Sequence, residues 1–240
     1  MQFIIPAILP QSAEDLQGRL SRLQGVSTEV QIDVVDGRFA SPATWPYAKP
    51  TGDTKAGVPD ADAFSHLGAF RFEIDLMVSN PEEVVGAWIR AGASRITIHA
   101  ETTKALAQLV EDFDIKYGHD KNFAPDLLSF GLAININTPT SLIEPYLDAC
   151  DYVQFMGIGT IGRQGQAFDR AVIAKIASFH KRFPEVPIQV DGGVSLVTAP
   201  DLLNAGVSRL IVGSGLWNAE NLKEEMKKFH ELTEAHGLYA

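Results

Sequence analysis

The stretch VQIDVVDGRFASP, residues 30–42, sets Gln31 and Asp33 two apart inside an apolar run and then turns at Gly37. Side chains alternate along an extended chain, so these two polar groups share one face while Ile32 and Val34 take the other. A carboxylate inside such a run is costly to bury without compensation, which marks Asp33 as more than a turn residue. Asp36, directly before the glycine, fits a turn or helix cap.

Working outward, seven more short β-rich runs follow the same design: FIIPAIL (3–9), FRFEIDLMV (70–78), RITIHA (95–100), FGLAINI (130–136), DYVQFMGI (151–158), PIQVDGG (187–193) and RLIVGS (209–214). Between them lie helical patterns. In SAEDLQGRLSRLQ, Ser12 can cap and Leu16, Leu20 and Leu23 recur at helical spacing. NPEEVVGAWIRAGA, TSLIEPYLDAC, DRAVIAKIASFHKRF, LVTAPDLLNAGV and NAENLKEEMKKFHELTEAH read likewise. Strands alternating with helices imply a parallel sheet with right-handed crossovers. Eight such units favour closure into a (β/α)8 TIM barrel over an open doubly wound sheet, and 240 residues suit one such domain spanning 1–240.

Composition narrows the function. With 20 Lys and Arg against 30 Asp and Glu, the formal charge of −10 disfavours a general nucleic-acid or anionic-membrane binder. No apolar stretch reaches the roughly 18 residues of a membrane span, and the N-terminal apolar run is too short for a signal peptide, so a cytoplasmic protein is expected. Cys150, the single cysteine, allows no intrachain disulfide and reads as a small buried hydrophobe. Two segments read as loops: 37–62, after the second strand, a lid over the barrel mouth; and 112–125, before the fifth, an insertion on the opposite rim.

Polar groups at the C-terminal ends of barrel strands point into the mouth. The strand ends supply Gln31, Asp33, Glu73, Asp75, His99, Glu101, Asn135, Asn137, Gln154, Gln189 and Asp191. Glycine turns follow the last three strands, in GRQGQAF (162–168), DGGV (191–194) and VGSGLW (212–217). Such turns let backbone N–H groups approach an anion, and the loops after strands 7 and 8 are the usual phosphate cradle of these barrels.

Taken together, QIDVVDGRF, EIDLMVSNPEE, ITIHAE, GLAININTPTS, MGIGTIGRQGQAF, IQVDGGV and VGSGLW resemble the ribulose-phosphate 3-epimerase family, in order and nearly end to end. The family reads His-x-Asp-Val-Met-Asp-Gly at its second strand, His-(Leu/Met)-Met-Val at its third and Val-Asp-Gly-Gly at its seventh. The resemblance implies two His and two Asp around one divalent metal, with the two Asp also serving as acid and base at C3 of a phosphorylated ketose. Asp33 and Asp191 keep the Asp pair, whereas Gln31 and Asp75 replace the two His, and Ala7 replaces a Ser. Phosphate contacts carry over to Gly162, Gly165, Gln166, Gly192, Gly193, Gly213 and Ser214, with an extra residue before Gly162 and with Arg163 and Gln164 where the family has Phe and Gly. An Asp at Gly193 is expected to abolish phosphosugar binding without unfolding the chain. The resemblance also implies a homo-oligomer.

The altered set, Gln31, Asp33, Asp75 and Asp191, offers oxygen alone, which suits Mg²⁺ or Mn²⁺ better than Zn²⁺. Without a cation, three facing carboxylates should raise at least one pKa, and His99 is the auxiliary candidate to compensate. Arg38 could hold an anion, or be a solvated loop charge. Beside the epimerase reading stand two others: a barrel with a different sugar phosphate or metal-free chemistry, and a non-catalytic phosphosugar binder.

Overall fold

A computed structural model describes residues 3–48, 64, 70–119 and 128–238 of the protein. Eight parallel strands close into a barrel in sequence order: β1 (Ile4–Ile8), β2 (Glu29–Val35), β3 (Arg71–Met77), β4 (Ala93–His99), β5 (Ser129–Ile134), β6 (Tyr152–Met156), β7 (Ile188–Asp191) and β8 (Arg209–Val212). The closing seam pairs Ile4 to Pro6 of β1 with Leu210 to Val212 of β8. Each of the eight runs read from the sequence falls on one strand, although β2, β4 and β5 begin one or two residues earlier; closure leaves no edge and buries both faces.

The connecting helices are α1 (Ala13–Leu23), α2 (Val85–Arg90), α3 (Leu106–Tyr117), α4 (Ala171–Arg182), α5 (Ala199–Asn204), α6 (Ser214–Trp217) and α7 (Leu222–Ala235). α1 starts as its sequence demands: the Ser12 hydroxyl accepts from the Asp15 N–H, and Leu16, Leu20 and Leu23 are buried. The main apolar core lies between strands and helices, where Trp88, Phe113, Phe130, Phe155, Phe179 and Phe229 are sealed from solvent. No helix of the described residues is long and apolar enough to cross a membrane.

Two sequence expectations change. Residues 112–117 are not loop but the last turns of α3, where Phe113 continues the buried stripe of Leu109 and Val110 and Gly118 ends the helix at φ 69°. TSLIEPYLDAC forms only two 3-10 turns, Thr140–Leu142 and Glu144–Ala149, in keeping with Pro145, which brings no N–H to an α-helical ladder. Of the supposed lid, 49–62 lie outside the described residues. The part before them is pinned down: Thr44 is buried, its hydroxyl donating to the Asp33 carbonyl and accepting from the Val35 N–H.

The inside of the barrel departs from the branched aliphatic layers usual in this architecture. Its lower level is ionic. Glu73 receives Arg209 at 2.5 Å, Gln189 at 2.6 Å, Thr97 at 3.2 Å and Arg95 at 3.3 Å, while Arg209 also donates to Glu29 at 2.7 Å. The Arg95 guanidinium lies 4.0 Å above the Tyr152 ring. Although burial alone would raise the Glu73 pKa, Arg209 and Arg95 bring it down to about 2, so this carboxylate stays ionised.

Candidate active site at the barrel mouth

One step up each strand from the ionic layer, the register aligns Asp33 with Asp75 and Met156 with Asp191. A carboxylate oxygen from each of Asp33, Asp75 and Asp191 lies within 4.8 Å of the others, all three residues buried. Gln31 bridges two of them, its Nε2 donating to Asp33 Oδ1 at 2.8 Å and to Asp191 Oδ2 at 3.1 Å. Asp75 is held differently: Gln154 Nε2 donates to its Oδ2 at 2.8 Å, and His99 Nε2 lies 3.3 Å from its Oδ1.

Above the carboxylates sits a small apolar cap of Val35, Ala40, Met77, Met156, Ile158 and Ile161, with Leu9 and Phe39 packed against it. Burial is accordingly the largest influence on the pair below. It drives the Asp33 pKa well above the carboxylate range, and the charges of Asp191 and Asp75 add to it while Gln31 opposes. Asp191 is pushed to about 7 by burial and by Asp75, against hydrogen bonds from Gln31 and the Gly192 N–H. Burial would lower the His99 pKa, yet the neighbouring Asp75 charge carries it upward overall. A proton shared within this group near neutral pH is what acid/base chemistry needs.

The glycine turns meet the same cavity. A space of about 40 Å³ is lined by Asp33 and Asp191 and also by Gly162, Gly165, Gln166, Gly192, Gly193, Gly213 and Ser214. It continues outward into an open groove of about 710 Å³ bounded by Gly193, Ser195, Ser214, Asn218, Asn221 and Lys228 among others. α6 begins at Ser214; the Leu216 and Trp217 N–H groups bond the Gly213 carbonyl, and those of Ser214 and Gly215, ahead of them, have no acceptor within the helix. Gly193 has φ 68°, and a Cβ there would lie 2.8 Å from the Phe168 Cα, so the Asp substitution expected from the sequence to be harmless to folding is strained. Gly213 is the better probe, since a Cβ there meets only the end of the Gln164 side chain, 2.8 Å away.

Several strand-end residues settle elsewhere. Asp36 is a turn former: its Oδ1 accepts from the N–H groups of Arg38 and Phe39, and its Oδ2 from Ser79. Arg38 is exposed. Glu73 and Gln189 lie in the ionic layer beneath the mouth. Glu101 accepts from the Asn135 N–H at 2.8 Å, and Lys175 from α4 donates to the carbonyls of Asn135, Ile136 and Thr138, fixing the end of β5. Gln164 reaches the Ala7 carbonyl at 3.2 Å, beside Trp217 Nε1 at 2.6 Å. Arg95 and Arg209 were missed, though an arginine opening an otherwise apolar run, as in RITIHA and RLIVGS, was a readable sign of a charged interior.

The family model described as the ribulose-phosphate 3 epimerase family matches residues 3–217. The chain belongs to this family. Among curated members, it is similar to the ribulose-phosphate 3-epimerase of Bacillus subtilis, 26% identical with 94% of this chain and 96% of that one covered. It is also similar to the ribulose-phosphate 3-epimerase of Eremothecium gossypii, 29% identical over 92% and 88% of the two chains. Among solved structures, 3-hexulose-6-phosphate synthase from Salmonella typhimurium superposes with a TM-score of 0.68 over 98% of this chain and all of that one; at 14% identity, this likeness is one of fold.

Proposed function

We propose that the protein is an epimerase acting at C3 of a phosphorylated ketose, with Asp33 and Asp191 as the acid and base that exchange the C3 proton. The observation that carries the reading is the single cavity joining these two carboxylates to the late glycine turns. Asp33 and Asp191 differ in their surroundings, and a pair that cannot comfortably hold two charges leaves one member protonated while the other accepts. Gly162, Gly165, Gln166, Gly192, Gly193, Gly213 and Ser214 form the phosphate grip, which fixes the reacting carbon relative to the carboxylates.

The mouth also fits a hard divalent cation. Three buried carboxylates converge, and Asp75 Oδ1 and Gln31 Oε1 are buried without a hydrogen-bond partner. Asp33, Asp75 and Asp191 would hold Mg²⁺ or Mn²⁺, which when bound supplies positive charge to an enediolate. Gln31 turns its nitrogen, not its oxygen, to the carboxylates, so its ligating role requires the amide to turn over. His99 sits against Asp75 and is the protein's own source of positive charge at the mouth. The reading places the protein in the cytoplasm, as a homo-oligomer.

The test is solvent-label incorporation at C3 of ribulose 5-phosphate, with metal-stripped protein and again after adding Mg²⁺, Mn²⁺ or Zn²⁺. Label that enters the wild type but not Asp33→Asn or Asp191→Asn supports the paired-carboxylate reading. Binding of the phosphosugar with no exchange under any metal would make the protein a binder and overturn it.

A further inference from the structure

Gln154 lies between the ionic layer and the three aspartates, and the polarity of its hydrogen bonds is dictated from below. Arg209, a guanidinium, can only donate, and it donates to Glu73 Oε2 at 2.5 Å. Gln189 therefore turns its Nε2 toward Glu73 Oε1 at 2.6 Å and its Oε1 toward Arg209 Nη1 at 3.2 Å. The same Nε2 donates to Gln154 Oε1 at 2.6 Å, which leaves the Gln154 nitrogen facing upward to Asp75 Oδ2 at 2.8 Å. A reversed Gln154 amide would set nitrogen against nitrogen below and oxygen against a carboxylate above. One orientation alone satisfies both contacts.

The consequence falls on Asp75. All four side chains are buried, so a lost donor cannot be replaced by bulk water. With Oδ2 taken by Gln154, Oδ1 is the oxygen left without a hydrogen bond, 3.3 Å from His99 Nε2 and in the group formed with Asp33 and Asp191. Groups that hold a metal-ligating carboxylate in place commonly govern the affinity of the site.

We propose that Gln154 is a positioning residue for the divalent cation at Asp33, Asp75 and Asp191: its carboxamide, oriented by Gln189 and Glu73, holds Asp75 so that Oδ1 is presented to the ion. This rests on the cation reading above. The residue touches neither substrate nor ion. It acts through Asp75.

The experiment is Mn²⁺ titration followed by electron paramagnetic resonance, with thermal unfolding of the same metal-stripped samples. Gln154→Met keeps the length of the side chain and removes the donor; the expected result is Mn²⁺ binding weakened about 10- to 100-fold in a folded protein. Gln189→Met leaves Gln154 in place but frees its amide to turn over, and a smaller loss of several-fold is expected; it stands as the test if Gln154→Met does not fold. A purely structural role predicts lower melting temperatures with an unchanged Mn²⁺ Kd, and that result overturns the proposal. So does a wild type that binds no Mn²⁺ at millimolar concentration. Label exchange at C3 of ribulose 5-phosphate by that same wild type separates this failure from failure of the epimerase reading, since exchange without Mn²⁺ binding refutes only the cation's positioning.

Discussion

Asp191 costs the protein stability that an asparagine would not. The unfolded chain ionises an aspartate from about pH 4, whereas the folded protein resists until about 7. A folded-state pKa raised in this way carries no cost below pH 4, and the cost grows as pH climbs through the window between the two values. In metal-stripped protein, Asp191→Asn is expected to raise Tm by several degrees at pH 8 and to leave it unchanged at pH 4. A Tm lowered at pH 8 would mean that the carboxylate is stabilised in the folded state. The same substitution should cut C3 exchange by about 10² to 10⁴, the usual contribution of a general acid or base. Gln164 carries a second prediction. Its side chain reaches the Ala7 carbonyl in a cavity of about 40 Å³, smaller than a sugar phosphate, so on the epimerase reading it is expected to swing aside as substrate enters. Gln164→Gly is expected to lower KM for ribulose 5-phosphate severalfold with kcat little changed; an unchanged KM would place Gln164 outside the entry path.

Among the elements, α3 and the chain just beyond it fasten the far rim. Gly118 takes φ 69° at the end of α3, with open space where a Cβ would lie, so the cost of Gly118→Ala is conformational alone, about 1 kcal/mol by denaturant unfolding. One residue further on, buried His119 donates Nε2 to Asp151 Oδ2 at 2.7 Å, and that oxygen also receives the Phe130 N–H opening β5. The bond to Asp151 raises the His119 pKa, with burial opposing. A histidine raised on folding stabilises fully below its unfolded pKa near 6.5 and loses that contribution as pH rises through the folded value. His119→Gln should therefore reduce stability more at pH 5.5 than at pH 9, as read from paired urea midpoints; equal losses at the two pH values would show that the bond does not depend on protonation.

For the molecule as a whole, the ionic barrel interior is the unusual feature. Glu73 stands between two buried arginines, so removing it strands Arg95 and weakens the hold on Arg209, which keeps Glu29. Breaking a buried pair by deleting one partner costs about 3–5 kcal/mol. Glu73→Leu is expected to show a loss of that order by urea unfolding, together with disturbed Mn²⁺ binding through Gln189 and Gln154; a loss below about 1 kcal/mol would mean that the layer relaxes without its centre.

By itself, the sequence determined the architecture and marked the carboxylates that converge at the barrel mouth. Each strand run carries its own apolar faces and its own terminal glycine or polar group, and these are local properties, readable one segment at a time. Asp33, Asp75 and Asp191 were legible because a carboxylate inside an apolar run has to be answered for somewhere. What answers it was decided only by barrel closure. Gln31 lies 160 residues from Asp191, and Gln154 79 from Asp75, so their hydrogen bonds depend on how eight strands are staggered against one another. The same closure sent Glu73 and Gln189 below the mouth, drew Arg209 to Glu29 across the chain, and set an apolar cap over the carboxylates. Hydrophobic pattern acts along the chain and survives in any arrangement of the segments; the charge state and aim of a buried side chain are fixed by neighbours that only the folded barrel brings within hydrogen-bond reach.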